Sequence, residues 1–128
     1  MMNLNFAPVD VDGVEVINTT PHSITFGVGT EVKEVPSHCV ISARAVETKV
    51  AERPGLTFVE TRFEATKEAT EMVEAIKEAF PEAVIVGSII AAQAFPGDVV
   101  AMTPLPGFER VAPAEKRMDP HKFTIFQR

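Results

Sequence analysis

Apolar residues recur at helical spacing across residues 65–80, and this stretch carries the clearest periodic signal in the chain. Residues three and four positions apart would line one face of a helix, and those on the apolar face are Ala65, Ala69, Met72, Val73, Ile76 and Phe80. Thr61 and Glu64 have the spacing of a capping box at a helix start. Pro81 cannot continue a helix because it has no backbone N–H. The pattern predicts an amphipathic α-helix from about residue 65 to residue 80.

Stretches rich in apolar and β-branched residues predict strands on both sides of this helix. Before it lie VEVINTT (14–20), SITFGV (23–28), TEVKEVP (30–36) and LTFVETRF (56–63). The alternation in TEVKEVP is poor, which is typical of an edge strand. HCVISARAV (38–46) fits either a strand or a short helix. After the helix lie AVIVG (83–87), DVVAM (98–102) and KFTIFQ (122–127).

A second, short helix is predicted at about residues 88–94, where SIIAAQA follows the strand AVIVG and precedes Phe95-Pro96-Gly97. The elements together predict an α+β fold with a mostly antiparallel sheet, one long helix and one short helix. The long helix has the length of a crossover connection, so the strands LTFVETRF and AVIVG could form one parallel pair.

The length of 128 residues suits a single domain spanning 1–128. Residues 1–12 are expected to form a loose N-terminal arm. Residues 103–122 are expected to form a loop punctuated by Pro104, Pro106, Pro113 and Pro120. The edge strand TEVKEVP and the apolar loop MTPLPGF (102–108) would be exposed in a monomer, so we expect a homo-oligomer.

The net charge of −6 disfavours binding to a nucleic-acid polymer. The charge is uneven, because residues 108–128 carry five basic and three acidic side chains, a local +2, and the remainder carries 7 basic and 15 acidic ones, or −8. Such a tail suits a small anionic ligand or an acidic patch on a neighbouring subunit, and a plain solvated loop would look the same. No apolar run has the length of a membrane span, and no signal peptide is apparent. With the single Cys39, these features favour a cytoplasmic protein without membrane contact.

No motif in the sequence assembles a catalytic or metal site. Gly87-Ser88 comes where a strand meets a helix, so Ser88 would cap the helix or bind a phosphate oxygen, but no phosphate-loop or dinucleotide motif surrounds it. Cys39 and the adjacent His38 would point to opposite faces of a strand. The three histidines are scattered without metal-ligand spacing, and the loop acids Asp98, Glu109 and Asp119 have no evident partner. We therefore assign no catalytic residue, metal ligand or cofactor.

A ligand site would need stacking and anion-binding side chains, and few residue types here can supply them. The chain has no Trp and no Tyr, so Phe95 and Phe108 are the candidates to stack a base, although both could instead close the core. Guanidinium groups bind phosphate with two donors, and the candidates are Arg62, Arg110 and Arg117. Arg62 shares a strand face with Leu56 and Phe58, where a charge requires a partner. Ser88 and Gln93 would add hydrogen bonds.

Two stretches resemble a set of small phage and bacterial proteins. INTTPHSITF (17–26) resembles their N-L-T-P-H-x-[IV] opening, and VGSIIAAQAFPGDVVAMTP (86–104) resembles a following IVSxxVAxA…DxxxP segment, with Gly87 in place of an apolar residue. The layout of an N-terminal antiparallel sheet and two later helices is similar to the phage Thoeris anti-defence sponges. Those proteins sequester cyclic ADP-ribose-type signals, and some also hold cyclic oligonucleotides, in pockets of an oligomer.

The resemblance implies a phage-type anti-defence protein that binds a cyclic nucleotide or cyclic ADP-ribose-like signal in the host cytoplasm without cleaving it. Its pocket would form where the start of the SIIAAQA helix meets the loop around residues 108–117, across a subunit boundary. Two other functions stay open. One is an enzyme acting on a nucleotide or sugar phosphate, with Asp98 or Glu109 as the base, and the other is a structural virion protein.

Overall fold

The computed structural model describes residues 4–112 and 115–127 of the chain. In these residues nine strands and two helices follow one another along the sequence. They are β1 (Val9–Val11), β2 (Val14–Asn18), β3 (Ile24–Val28), β4 (Glu31–Val35), β5 (Ala43–Arg53), β6 (Leu56–Ala65), α1 (Lys67–Ala79), β7 (Val84–Val86), α2 (Ile89–Ala94), β8 (Ala101–Pro104) and β9 (Met118–Thr124). The expected mixture of strands and two helices is confirmed.

The strands form three sheets, with the orders β1-β2-β7, β4-β3-β9-β8 and β5-β6. Most neighbouring strands are antiparallel, as expected, and β4 lies at a sheet edge. Two pairs are parallel, β2 with β7 and β3 with β9. The proposed parallel pair between LTFVETRF and AVIVG is wrong, because β6 pairs along its whole length with β5 and leaves β7 to pair with β2.

Helix α1 buries one face against the core through Ala69, Val73 and Ile76. It is shorter than predicted at both ends, since Ala65 belongs to β6. The capping box at Thr61 and Glu64 is wrong, because both residues lie in β6. The N-cap is Thr66, whose hydroxyl accepts a hydrogen bond from the Ala69 N–H at 3.1 Å.

Two clusters of buried side chains form the core. One lies between the helices and the β1-β2-β7 sheet, and it contains Ile17, Ile41, Ala69, Val73, Ile76, Ile85, Ala91, Ala92, Phe95, Val99 and Ala101. The other joins that sheet to the four-stranded sheet, and it contains Val11, Val16, Ile24, Phe26, Val35 and Val86. A parallel bridge between Val86 and Val100 brings the two sheets together.

The N-terminal arm is more ordered than expected. Val9–Val11 form β1, which pairs with β2 through a two-residue turn at Asp12 and Gly13. Both turn residues have positive φ, 50° and 87°, as a tight hairpin turn requires. Of the expected loose arm, residues 4–8 and 12 lie outside strands, and residues 1–3 lie outside the described part.

The proline-punctuated loop is shorter than 103–122. Pro104 ends β8 and Pro120 lies within β9, so the connection between these strands is residues 105–117. Pro120 fits in a strand because the β8–β9 register shifts between Met102 and Pro104, where the regular hydrogen-bond ladder is interrupted. Pro113 lies outside the described residues. The final strand therefore begins at Met118, four residues earlier than KFTIFQ predicted.

Strands β5 and β6 form a long hairpin that stands apart from the two other sheets. They run antiparallel over 11 and 10 residues and turn at Pro54-Gly55. From residue 47 to residue 62 every side chain is exposed, on both faces of the ribbon. The hairpin adds no residue to either buried cluster, and its base contacts α2.

Candidate functional site

The segment NTT at the end of β2 forms a buried hydrogen-bonded turn. The Asn18 amide donates to the carbonyls of His22 (2.8 Å) and Val35 (3.0 Å), and its oxygen accepts from the N–H (2.9 Å) and hydroxyl (2.6 Å) of Thr20. Asn18, Thr19 and Thr20 are all at least 92% buried. Every hydrogen-bonding position of the Asn18 side chain is occupied by protein, so this residue holds the turn and has no free group for a ligand.

His38 completes this turn from the other side. Its Nδ1 accepts from the Asn18 N–H at 2.9 Å, so the ring proton lies on Nε2, which donates to the Ala7 carbonyl at 2.9 Å. The ring also contacts Phe6 edge-on, with 5.4 Å between centroids. His38 thus ties the N-terminal segment to β2 and does not act as a base for Cys39. Burial raises the pKa of the half-buried Cys39 thiol, which favours its protonated form and lowers its reactivity.

The two stretches that carry the resemblance meet at one point. The N–H and the hydroxyl of Thr19 both donate to the Val86 carbonyl at 2.8 Å. A Cβ at the next residue, Gly87, would lie 3.1 Å from the Thr19 hydroxyl and 2.7 Å from Val99. Glycine is therefore required where β7 passes β2, and the departure from the resembling pattern at this position has a packing reason.

Ser88 begins α2, as the sequence predicted. Its hydroxyl accepts from the Ala91 N–H at 3.1 Å, the geometry of an N-cap. Gln93 lies on the exposed face of the same helix. Phe95 is the C-cap and is only 6% exposed, packed in the core. Of the two roles that the sequence allowed for Phe95, stacking a base or closing the core, the structure supports the second. Its buried ring is not available to stack a base.

A cleft of about 420 Å³ lies between α1, the end of β6 and the turn after α2. Its polar side chains are Thr70, Glu74 and Asp98. Asp98 accepts a hydrogen bond from Lys77 at 2.8 Å, and the Thr70 hydroxyl donates to the Thr66 carbonyl. Two carboxylates at the wall make this cleft unsuited to an anionic ligand.

The loop of residues 105–117 is fixed at its base and carries three of the candidate residues. The Leu105 N–H donates to the Arg117 carbonyl at 2.9 Å, and the Phe108 N–H donates to the Leu105 carbonyl at 3.0 Å. Phe108 and Arg117 are half-buried and Arg110 is exposed. The Arg117 guanidinium donates to the carbonyl of its neighbour Lys116 at 3.0 Å. In the part of the chain that the structure describes, neither arginine forms an ion pair with a carboxylate.

Arg62 lies on the β5–β6 hairpin. Its side chain is 71% exposed, and its Nε lies 3.9 Å from the Glu64 carboxylate. Leu56 and Phe58, which share its face, are also exposed, so the expectation of a charge on a buried apolar face does not hold. No hydrogen bond or ion pair among the described residues joins Arg62, the start of α2 and the loop.

The described residues offer little other chemistry. They contain no group of three or more His, Cys, Asp or Glu side chains placed to hold a metal ion. No helix among them is long and apolar enough to span a membrane. In comparisons with known proteins, no family model, curated protein or solved structure matches the chain.

Proposed function

We propose that the protein binds a small anionic, nucleotide-like ligand on the loop of residues 105–117 and holds it without cleaving it. The ligand class follows the resemblance, a cyclic nucleotide or a cyclic ADP-ribose-like immune signal, and the biological role would be that of a phage-type anti-defence protein in the host cytoplasm. The observation that supports this proposal is the pair of arginines, Arg110 and Arg117, on an anchored loop of an acidic protein.

The anchoring of the loop gives these charges a defined position. Leu105 packs over β3 so closely that a Cβ at Gly27 would collide with its Cδ1 atom. The same Cβ at Gly27 would lie 3.6 Å from the Cβ of Arg117. Since both ends of the loop base are held on β3, the Arg117 guanidinium is presented from a fixed backbone, which lowers the entropic cost of binding an anion.

The available side chains match a nucleotide's parts. Arg110 and Arg117 would take phosphate oxygens through charge-assisted hydrogen bonds, and the half-buried Phe108 ring on the same loop would stack a base. Ser88 and Gln93 would add hydrogen bonds where α2 meets this loop across a subunit boundary. Arg62 lies on the β5–β6 hairpin, and Phe95 lies in the core.

Binding without turnover is supported by the state of the acids proposed as bases. Asp98 accepts from Lys77, and Glu109 accepts from the Gly107 N–H at 2.8 Å. Asp119 accepts from the His121 N–H at 2.8 Å. Each of these three acids thus has a structural partner, which favours binding over turnover.

The first test is native mass spectrometry of the protein purified from cells that produce it and have been infected with phage. The second is titration of the purified protein with cyclic ADP-ribose and with cyclic dinucleotides. We expect a bound small anion that is recovered with unchanged mass after denaturation. A ligand recovered in altered form would make the protein an enzyme. No bound anion and no binding of either probe class would overturn the proposal, and assembly into capsid-sized particles would point to a virion protein.

Charge reversal locates the site. Loss of one charged hydrogen bond of about 1.5–3 kcal/mol would weaken binding of a phosphate-bearing probe roughly ten- to a hundredfold. Arg110→Glu should weaken binding by more than this, because it also places a negative charge beside the phosphate. The melting temperature of the free protein should barely change, because exposed charges contribute little to stability. Lys67→Glu, with the same charge change on the exposed first residue of α1, is the matched control and should bind normally. Equal losses in both variants would show a general charge effect without a site at this loop.

A further inference from the structure

The β5–β6 hairpin exposes apolar side chains that the rest of the fold leaves uncovered. Val50, Leu56, Phe58 and Val59 are 43–58% exposed, and they lie on both faces of the ribbon. A hairpin of two strands without a packed face is at best marginally stable in water. Such a ribbon gains stability when a further strand extends it or another surface covers it.

The two edges of the hairpin differ in their capacity to pair. Strand β5 carries a register irregularity between Lys49 and Ala51, a device that blunts a sheet edge. Strand β6 runs for ten residues without Gly, Pro or Lys. In the part of the chain that the structure describes, no strand pairs with its outer edge. The edge that can accept a further strand is therefore that of β6.

The charges of the hairpin match a second copy of the same chain. Residues 43–65 carry four basic and four acidic side chains, whereas the whole chain carries −6. The hairpin is thus the neutral part of an acidic molecule, where two copies approach with the least repulsion. Along β6, Glu60, Arg62 and Glu64 alternate in sign on one face, and Val59, Thr61 and Phe63 lie on the other.

We propose that two copies of the chain pair antiparallel through β6, with the two-fold axis at Thr61, to form a four-stranded sheet in the order β5-β6-β6-β5. A two-fold axis normal to the sheet keeps each side chain on its face, so residues whose numbers sum to 122 stand opposite. Glu60 then faces Arg62 of the second copy, and Val59 faces Phe63, once on each side of the axis. Opposite charges and aromatic with β-branched side chains are the favourable cross-strand pairs.

Neighbouring registers are less favourable. Centring the axis on Glu60 or on Arg62 places like charges directly opposite each other, which is destabilising. Centring it on Phe63 keeps a Glu64–Arg62 pair but shortens the overlap to about five residues at the base of the hairpin. The Thr61 register alone combines opposite charges with an overlap of nine residues, 57–65.

Two single charge reversals and their mixture test this arrangement by sedimentation equilibrium. We expect the unmodified protein to have about twice the 13.9 kDa of one chain. Glu60→Arg and Arg62→Glu should each raise the dimer dissociation constant about tenfold or more, because each places like charges opposite twice over. Mixing the two variants should restore a heterodimer, since the reversed charges are then complementary. Lys49→Glu, on the blunted strand, is the control and should stay dimeric.

A cysteine at the axis tests the register directly. In a Cys39→Ser background, Thr61→Cys places two thiols opposite each other, with Cβ atoms about 4.5–5.5 Å apart, and mild oxidation should cross-link the dimer. Thr57→Cys, which would face Ala65 of the second copy, should not cross-link to itself. A monomeric unmodified protein, single reversals that leave the mass unchanged, or equal cross-linking at both positions would overturn the proposal. None of these readouts requires a ligand, so they are independent of the function proposed above.

Discussion

Asn18 is the residue on which the turn after β2 depends most. Its buried amide makes four hydrogen bonds, and three of them, to the Val35 carbonyl and to the N–H and hydroxyl of Thr20, are themselves buried. The backbone N–H of the same residue donates to His38, and its carbonyl accepts from the His38 N–H at 2.8 Å. One residue therefore joins β2, the chain after β4 and, through His38, the N-terminal segment.

Replacing Asn18 by Ala should destabilise the protein by about 2–4 kcal/mol, because it leaves the Val35 carbonyl and the Thr20 N–H buried without partners. Urea unfolding followed by circular dichroism measures the change. Asn5→Ala removes the same amide at an exposed position and should change stability by less than about 0.5 kcal/mol. Similar losses in the free energy of unfolding for Asn18→Ala and Asn5→Ala would mean that the buried hydrogen bonds of Asn18 make no net contribution to stability.

The Cys39 thiol should react slowly in the folded protein. Burial raises its pKa, so at a given pH less thiolate, the reactive form, is present than in the unfolded chain. Iodoacetamide alkylation followed by mass spectrometry should therefore be slower in buffer than in urea, and the native rate should rise only at higher pH. The raised pKa also makes stability depend on pH. Once the pH exceeds the ordinary thiol pKa, Cys39 ionises in the unfolded chain before it does so in the folded protein, and the free energy of unfolding falls. Equal alkylation rates in both states would contradict this.

At the scale of elements, Ser88 caps α2, and we expect it not to act as a nucleophile. Ser88→Ala should lower the free energy of unfolding by about 1 kcal/mol, the usual contribution of an N-cap side chain. Ser42→Ala is the matched control at an exposed position and should have little effect. Stoichiometric labelling of Ser88 by an acyl or phosphoryl probe would instead reveal an activated hydroxyl.

The contact between β3 and the base of the 105–117 loop is tight enough to be tested by a double-mutant cycle. Gly27→Ala would drive a methyl group into Leu105 and should cost about 1–3 kcal/mol, as overpacking does. In a Leu105→Ala background the same substitution should cost clearly less, which thermal unfolding of the four proteins would show. Additive costs would mean that Leu105 moves aside freely and that the loop is not anchored there.

The elements that the sequence predicted well are those with one buried face. Helix α1 buries Val73 and Ile76 at helical spacing, and β3 buries Ile24 and Phe26 on one face. Strand β5 was predicted only in its first residues, as the strand alternative for 38–46, because further along both of its faces meet solvent and Glu47, Lys49 and Glu52 interrupt any alternation. Strand β1 was missed because it has three residues, although the Asp12-Gly13 pair after it is a hairpin signal.

The candidate site was less predictable, because residue type alone does not report burial. Phe95 follows a helix of six residues, too short for its periodicity to show that the C-cap enters the core. Arg62 shares a face with Leu56 and Phe58, and the sequence could not show that this whole face is exposed. The role of Asn18 required knowing that Val35 and His38 fold back onto β2, a tertiary fact without a local signal.

At the scale of the whole molecule, we expect the hairpin to be separable from the rest of the protein, which we call the body. Both buried clusters lie outside residues 43–65, so the body should fold without the outer part of the hairpin. Replacing residues 48–60 by Asn-Gly keeps Glu47 and Thr61 as a closing pair and supplies a two-residue turn.

This shortened chain should keep its circular dichroism spectrum and unfold cooperatively, with a melting temperature within a few degrees of the full chain measured at low concentration. It should also sediment as a monomer, because without Val59 and Glu60 neither the Glu60–Arg62 nor the Val59–Phe63 pair of the proposed dimer can form. Loss of cooperative unfolding would show that the hairpin stabilises the body through contacts at its base.

The two parallel strand pairs determine the order in which this chain can fold. Strand β2 cannot complete its pairing until β7 is available, because Val16 pairs with Val84. In the same way β3 needs β9, because Phe26 pairs with Met118. The hairpins β1–β2, β3–β4 and β5–β6 close locally within microseconds, whereas the distant pairings must overcome the loss of entropy in long loops. On the ribosome, β3 and β4 therefore emerge long before the strand that completes their sheet. During that interval their apolar faces are covered by neither β9 nor the body, and this is the period in which a chaperone would matter most.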